Sequence, residues 1–513
     1  MKPSSGSLSA GLLVLGLVLL GGSQPGQAEP RPGLLSPCRV PGSEVEVLCG
    51  SIARPLRPGA EGPTIDIHFA VLPAVARNKK PDPVFFFAGG PGQAATRLLS
   101  PISTLLKRLN NRRDIVFIDQ RGTGRSAPLY CPEQPPTTPL KELMGAGKWD
   151  RYLSDCLSAL QALPHGDLRY YATPMAMADA DAVREALGAS QINVVGGSYG
   201  TRAALDYLRQ FPGSVRRAVI DGVAPPDGHL PDSLGADVAA AFSTWLAACD
   251  SEASCQKRYP GLRATWARLL ASLPREVTVA HPFTGVTETL TLTRDDVLGL
   301  VRSPLYVPSL ASALPLALSQ AAAGHPESLL GLSLALSTGD AMRLALGMHF
   351  SVICTEDFPL PPPRSGGNHV DASLEAEFQA SFRRQYQEIC DHWPRGTVPA
   401  AFHSLPMAST ATLVFSGGLD PVTPPRHGER VAAALGDKAR HVRVENAGHG
   451  VLPLPCIGEV LHRFIDAPSD REALAVDASC AAAMPRPPFY PGIVPAAAPA
   501  APAVPAPKPE VRR

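Results

Sequence analysis

The chain has no excess of either charge: 47 Lys and Arg face 46 Asp and Glu over 513 residues, a formal net charge of +1. That balance leaves no electrostatic footprint for nucleic acid, and no basic run compensates for it. There is no C-x-x-C and no H-E-x-x-H, so zinc chemistry and thioredoxin-like exchange have no ligands or motif to rest on. No long hydrophobic run occurs either. The apolar stretch from Leu8 to Leu20 is about 13 residues, short of the ~20 a membrane-spanning helix needs. No cysteine closely follows it, which removes lipid attachment at a new N-terminal Cys.

What is present points outward from the cytoplasm. Lys2, the apolar run and the small residues Gly26-Gln27-Ala28 are the three parts of a secretory signal, with cleavage expected near Ala28 and a periplasmic or secreted mature protein. The ten cysteines fall in sequential pairs: Cys38 with Cys49, Cys131 with Cys156, Cys249 with Cys255, Cys354 with Cys390, and Cys456 with Cys480. In an exported chain these read as a disulfide framework with nearest neighbours joined. Proline, at 55 residues, is about twice its usual ~5%.

Short apolar runs bounded by Gly, Pro or Asp mark strands at 64–72, 83–87, 114–118, 192–195, 218–220, 412–415 and 441–444. Helical patterns lie between them at 94–110, 175–189, 201–210, 427–435 and 456–465. Such alternation predicts a mostly parallel sheet with helices on both faces and strand carboxyl ends along one edge. From 225 to 405 the sequence turns helical, the mark of an inserted cap. The expected organisation is therefore a signal at 1–28, core at 29–224, cap at 225–405, core again at 406–484, and a Pro/Ala-rich disordered tail at 485–513.

The chemistry sits at strand ends. Gly196-Gly197-Ser198-Tyr199-Gly200 is a G-x-S-x-G turn between a strand and a helix, which exposes the Ser198 hydroxyl as a nucleophile. Serine needs a base and an orienting acid. His449 lies between glycines after one late strand, and Asp420 occupies the matching place after another, with Asp221 as the competing acid. The order Ser198, Asp420, His449 is that of an α/β-hydrolase fold. Gly90, in Ala88-Gly89-Gly90-Pro91-Gly92, and Tyr199 are expected to offer backbone N–H groups to an oxyanion, with Gly89 the alternative to Gly90.

Together, Gly89 to Gly92, Asp119-Gln120-Arg121-Gly122-Thr123-Gly124-Arg125-Ser126, and Gly196 to Gly200 resemble the prolyl iminopeptidase and tripeptidyl aminopeptidase group of serine peptidases. The segment carrying Asp420, His449, Cys456 and Asp477 to Cys480 is similar to its secreted tripeptidyl aminopeptidase-like branch. The resemblance runs from Cys49 to about Phe489 and is weakest in the cap. Ala88 stands where prolyl iminopeptidases usually carry His, which speaks against their narrow proline specificity.

The resemblance implies release of residues, dipeptides or tripeptides from free N-termini, with a peptide as the partner and no metal or organic cofactor. A cap carboxylate would meet the substrate ammonium. Glu356, then Asp357, in Val352 to Asp357, are the residues that resemble the family's cap motif. Thr423 is expected to help orient the Asp420 loop. An esterase or lactonase could use the same residues, and a noncatalytic binding protein could share the fold. Oligomeric state is left open.

Overall fold

The computed structural model describes residues 32–59, 61–144, 148–336, 343–360, 372–407 and 409–492. The expected signal segment and all of the tail beyond Gly492 lie outside this set. A single nine-stranded sheet organises the chain, in the order β1 (Ser36–Arg39), β2 (Glu46–Pro55), β3 (Thr64–Leu72), β5 (Ile115–Ile118), β4 (Val84–Phe87), β6 (Ile192–Gly197), β7 (Val215–Asp221), β10 (Thr412–Gly417) and β11 (Ala439–Val444). The first three pairings are antiparallel. All those from β5 to β11 are parallel.

The strand residues explain this arrangement. Val84 to Phe87 and Ile115 to Ile118 are buried at every position, as expected of parallel strands covered on both faces. Helix α1 (Thr173–Ala186) and α2 (Tyr199–Gln210) precede and follow β6, and Phe87, Val194, Met177, Val183, Ala204 and Tyr207 share one core on that side. The opposite face is closed by Phe86, Phe117, Val195, Phe415 and Phe464.

Between β7 and β10 the chain leaves the sheet. It forms α3 (Leu230–Ser251), α4 (Arg294–Leu305), α5 (Leu346–Val352), a π-helical turn at Ile353–Asp357, and α6 (Ala372–Cys390), among other helices. Phe242, Trp245, Trp266, Phe378 and Phe382 fill a separate core there, with Phe242 and Trp245 stacked at 5.4 Å. This segment is not purely helical. β8 (Arg275–Ala280) and β9 (Thr287–Leu292) make an antiparallel hairpin in which Val277, Val279, Leu290 and Leu292 alternate inward between exposed Thr and Glu.

All five nearest-neighbour disulfides are formed, and no free cysteine remains among the described residues. No described helix is long and apolar enough to cross a membrane. The run at 94–110, read as one helix, is instead a 3-10 turn and two short helices. Pro485 to Tyr490, assigned to a disordered tail on composition, is also ordered. Phe489 is buried against Trp245, Tyr490 N–H donates to Ser312 O at 2.9 Å, and Tyr259 donates its hydroxyl to Tyr490 O at 2.8 Å. An aromatic pair within a Pro-rich stretch supplies the apolar area that the Pro/Ala composition conceals.

Candidate active site

Ser198 lies between β6 and α2 with φ 56° and ψ −126°, a left-handed backbone that side chains rarely adopt. Strain of this kind costs on the order of 1–3 kcal/mol and persists only where the surroundings fix it. They do so here. Ser198 N–H donates to Asp221 O at 2.9 Å, and Thr201 returns its N–H and hydroxyl to Ser198 O. A Cβ on Gly200 would fall 2.1 Å from Phe87 O, so only glycine lets the turn pass this close to β4. Ser198 remains partly open to solvent, at the end of a helix whose first amides have no intrahelical acceptors.

Across the same sheet edge, His449 Nδ1–H donates to Asp420 Oδ2 at 2.9 Å. Asp420 is otherwise saturated. Its Oδ1 accepts the Val422 and Thr423 N–H groups at 2.9 Å, and its Oδ2 accepts the Thr423 hydroxyl at 2.6 Å. Burial alone would raise this carboxyl, yet His449 and Thr423 outweigh it and hold the group below its ordinary value. For His449 the signs reverse: burial pulls the imidazole down and Asp420 more than restores it, leaving it above the ordinary value. Thr423 Oγ1 also lies 3.0 Å from His449 Nδ1, within the acid–base contact.

Neighbouring glycines show how closely these parts are gathered. A Cβ on Gly222, next to the Asp221 that holds Ser198, would lie 3.4 Å from His449 Cε1. One on Gly89 would lie 3.1 Å from Ser198 Cβ. Gly89 is buried and Gly90 exposed, so the loop beside the serine presents Gly90 outward. The Asp119 carboxylate, fully buried, anchors the far end of this loop by accepting the Thr96 N–H at 3.0 Å and the Arg125 N–H at 3.1 Å. Arg121 clasps Asp179 through two bonds of 2.7 and 2.9 Å and donates to Leu56 O and Tyr170 O, tying separate loops together.

Asp221 does not reach His449 as an acid. Its Oδ2 accepts the Val451 and Leu452 N–H groups at 2.8 and 2.9 Å, holding the backbone just beyond the histidine, and burial pushes its carboxyl up to about 6. Tyr306, which sequence reasoning missed, follows α4: its carbonyl accepts the His449 N–H at 2.9 Å and its ring meets the imidazole edge-on at 5.1 Å. Only a contact between distant segments reveals it.

Glu356 and Asp357 lie in the π-helical turn at 1% and 0% exposure, so both are buried. Asp357 is taken by Arg202 of α2 through two bonds of 2.8 Å. Glu356 accepts the Thr173 N–H at 2.6 Å and the Thr173 hydroxyl at 3.1 Å, while Thr173 Oγ1 also meets the Tyr199 hydroxyl at 2.6 Å. Burial pushes the Glu356 carboxyl up to about 7 despite Arg202.

The family model for the alpha/beta hydrolase fold matches residues 82–297, across the strands and loops that carry Ser198 and the Gly89–Gly92 loop. The chain has the α/β-hydrolase fold. A second model, TAP-like protein, matches 375–480 of this hydrolase, where Asp420 and His449 lie. Serine protease Hip1 of Mycobacterium tuberculosis is 25% identical over 465 residues, covering 83% of this chain and 87% of Hip1. The tripeptidyl aminopeptidase of Streptomyces lividans is 27% identical over 39% of this chain and 41% of its own length. A proline iminopeptidase of Aeromonas sobria is 25% identical over 37% and 39%. The hydrolase thus has serine protease and peptidase relatives, the group its motifs resemble.

Proposed function

We propose that this α/β hydrolase is an exported aminopeptidase that releases residues or short peptides from free N-termini through a Ser198–His449–Asp420 triad. The observation that carries the reading is a strained Ser198 and a His449–Asp420 pair at the same sheet edge, in a chain aligned with a serine protease over most of its length. His449 removes the Ser198 proton as the serine attacks the scissile carbonyl. Asp420 holds the proton at Nδ1 and stabilises the imidazolium. The Gly90 and Tyr199 N–H groups receive the oxyanion, His449 protonates the leaving amine, and water later releases the acyl group.

Of the two cap acids, Asp357 serves as the anchor of Arg202, and Glu356 is assigned to the substrate ammonium. Two carboxylates around one guanidinium leave a single negative charge when both are ionised, which one ammonium complements. The export reading rests on the N-terminal segment and is supported by the five disulfides.

The test compares wild type with Ser198→Ala on aminoacyl, dipeptidyl and tripeptidyl chromogenic amides, each with a free or blocked amine, and on short-chain esters. Turnover of free-amine amides that vanishes in Ser198→Ala is expected. Ester turnover without any amide turnover would replace the peptidase reading with a carboxylic ester hydrolase. Glu356→Gln should raise KM chiefly for free-amine substrates; an equal rise on blocked ones would remove Glu356 from that role.

A further inference from the structure

The Gly89–Gly92 loop is not held by the sheet alone. On one side it meets the chain at the start of α5, part of the segment between β7 and β10. Ala345 N–H donates to Gly92 O at 2.9 Å, and Leu344 forms an antiparallel bridge with Gln93. One turn further along, His349 Nδ1 lies 3.1 Å from Pro91 O. The other ring nitrogen, Nε2, lies 3.2 Å from the Tyr386 hydroxyl on α6.

These contacts set the tautomer. A carbonyl oxygen only accepts, so the bond to Pro91 requires the proton at Nδ1. Nε2 then accepts from the Tyr386 O–H. Burial pushes the imidazole down to about 4, so near neutrality the ring has a single N–H, directed at the loop. Both partners are also pinned. α5 runs directly into the π-helical turn, whose Cys354 is bonded to Cys390, one helical turn beyond Tyr386.

We propose that His349 is a positioning residue for acyl transfer: its Nδ1–H, with the tautomer set by Tyr386, fixes the Pro91 carbonyl and so the direction of the Gly90 N–H. The assignment rests on the serine-hydrolase reading above, but not on whether the acyl donor is an amide or an ester. It makes the oxyanion site a joint product of the sheet and the helical segment, because the serine comes from β6 and the brace from α5 and α6. A loop misplaced by a fraction of an ångström loses oxyanion stabilisation without losing substrate affinity, so the effect belongs in kcat.

Variants separate this role from packing. Asparagine at 349 carries an amide nitrogen near the position of Nδ1, whereas glutamine carries its amide nearer Nε2. His349→Ala and His349→Gln should lower kcat by about 30-fold on a p-nitrophenyl ester and on a free-amine peptide amide alike, with KM within about twofold. His349→Asn should recover to within about fivefold of wild type, and Tyr386→Phe should cost about threefold by freeing the other tautomer. Thermal melts run alongside.

Unchanged kcat in His349→Ala overturns the assignment, as does equal loss in the Asn and Gln variants, or a loss that tracks KM or melting temperature. A wild type active on the ester but not the amide removes the aminopeptidase reading, while the ester series still decides the role of His349. A wild type no more active than Ser198→Ala on either substrate takes both readings down together.

Discussion

His449 and His427 each rest a ring nitrogen 2.9 Å from an aspartate oxygen, and both aspartates are about 1% exposed. The two pairs differ in almost everything else. His449 gives Nδ1 to Asp420, which leaves Nε2 for the proton transfer proposed above, on a loop at the strand ends where strained Ser198 also lies. His427 gives Nε2 to Asp237, which also pairs with Arg426, and so joins helix α7 (Pro425–Leu435) to α3. His449, with the Thr423 hydroxyl and N–H, holds the Asp420 carboxyl below its ordinary value against burial, whereas burial pushes Asp237 up despite His427 and Arg426. A His–Asp contact is thus equally suited to fastening helices and to activating a hydroxyl. The strand-end setting and the bonds completing the carboxylate decide which.

The largest expected effects test that division directly. Ser198→Ala and His449→Ala should each lower kcat by about 10⁴-fold or more, while His427→Ala stays within about threefold of wild type and melts earlier. Comparable rate losses at the two histidines would erase the distinction. Asp420→Asn should cost about 10³- to 10⁴-fold in kcat, because the imidazole loses the partner that fixes its tautomer.

The same variant carries a sign that can be checked by pH. His449 must be neutral to act as base, so kcat/KM rises with pH through an imidazole pKa that Asp420 holds above its ordinary value. Removing that charge should move the acid limb to lower pH. A limb that stays put or moves upward contradicts the pairing.

At Asp237, Asp237→Ala should cost about 1–3 kcal/mol of unfolding free energy, read by denaturant titration, with little change in kcat. The smallest effect concerns Glu356, a buried acid outside both pairs. Its folded pKa of about 7 is raised above 4.5, so its contribution to stability is complete below the lower value and lost as pH rises through the higher. Glu356→Gln cannot ionise, and its melting temperature relative to wild type should increase from about pH 5 to about pH 8. A constant difference would mean that Glu356 titrates as it would in water.

Much of this was legible because it is local. The apolar run Ile192 to Val195, its glycines and the helix after Ser198 are contiguous, and Asp420 and His449 each follow a buried strand. The strand hairpin β8–β9 was missed: its Val and Leu residues alternate with Thr and Glu, but the surrounding Leu/Ala-rich pattern led the whole segment to be read as helical. The contacts of Tyr306 with His449, of Arg202 with Asp357 and of His349 with Pro91 each join residues more than 100 apart, and no spacing rule reports such contacts. Glu356 shows the same limit: its residue type was readable, while its burial against Thr173 and Arg202 was not.

Phe489 has a consequence for how the molecule comes apart. The helical segment is joined to the sheet at β7 and at β10, and the chain beyond β11 returns to seat Phe489 beside Trp245. Added to the two covalent continuations and to the hydrogen bonds that already tie the segment to the sheet, this docked aromatic makes opening of the segment a concerted event in which the strap carrying Phe489 must also release. Heat or denaturant should then meet one cooperative unit, with sheet and helices lost in the same transition.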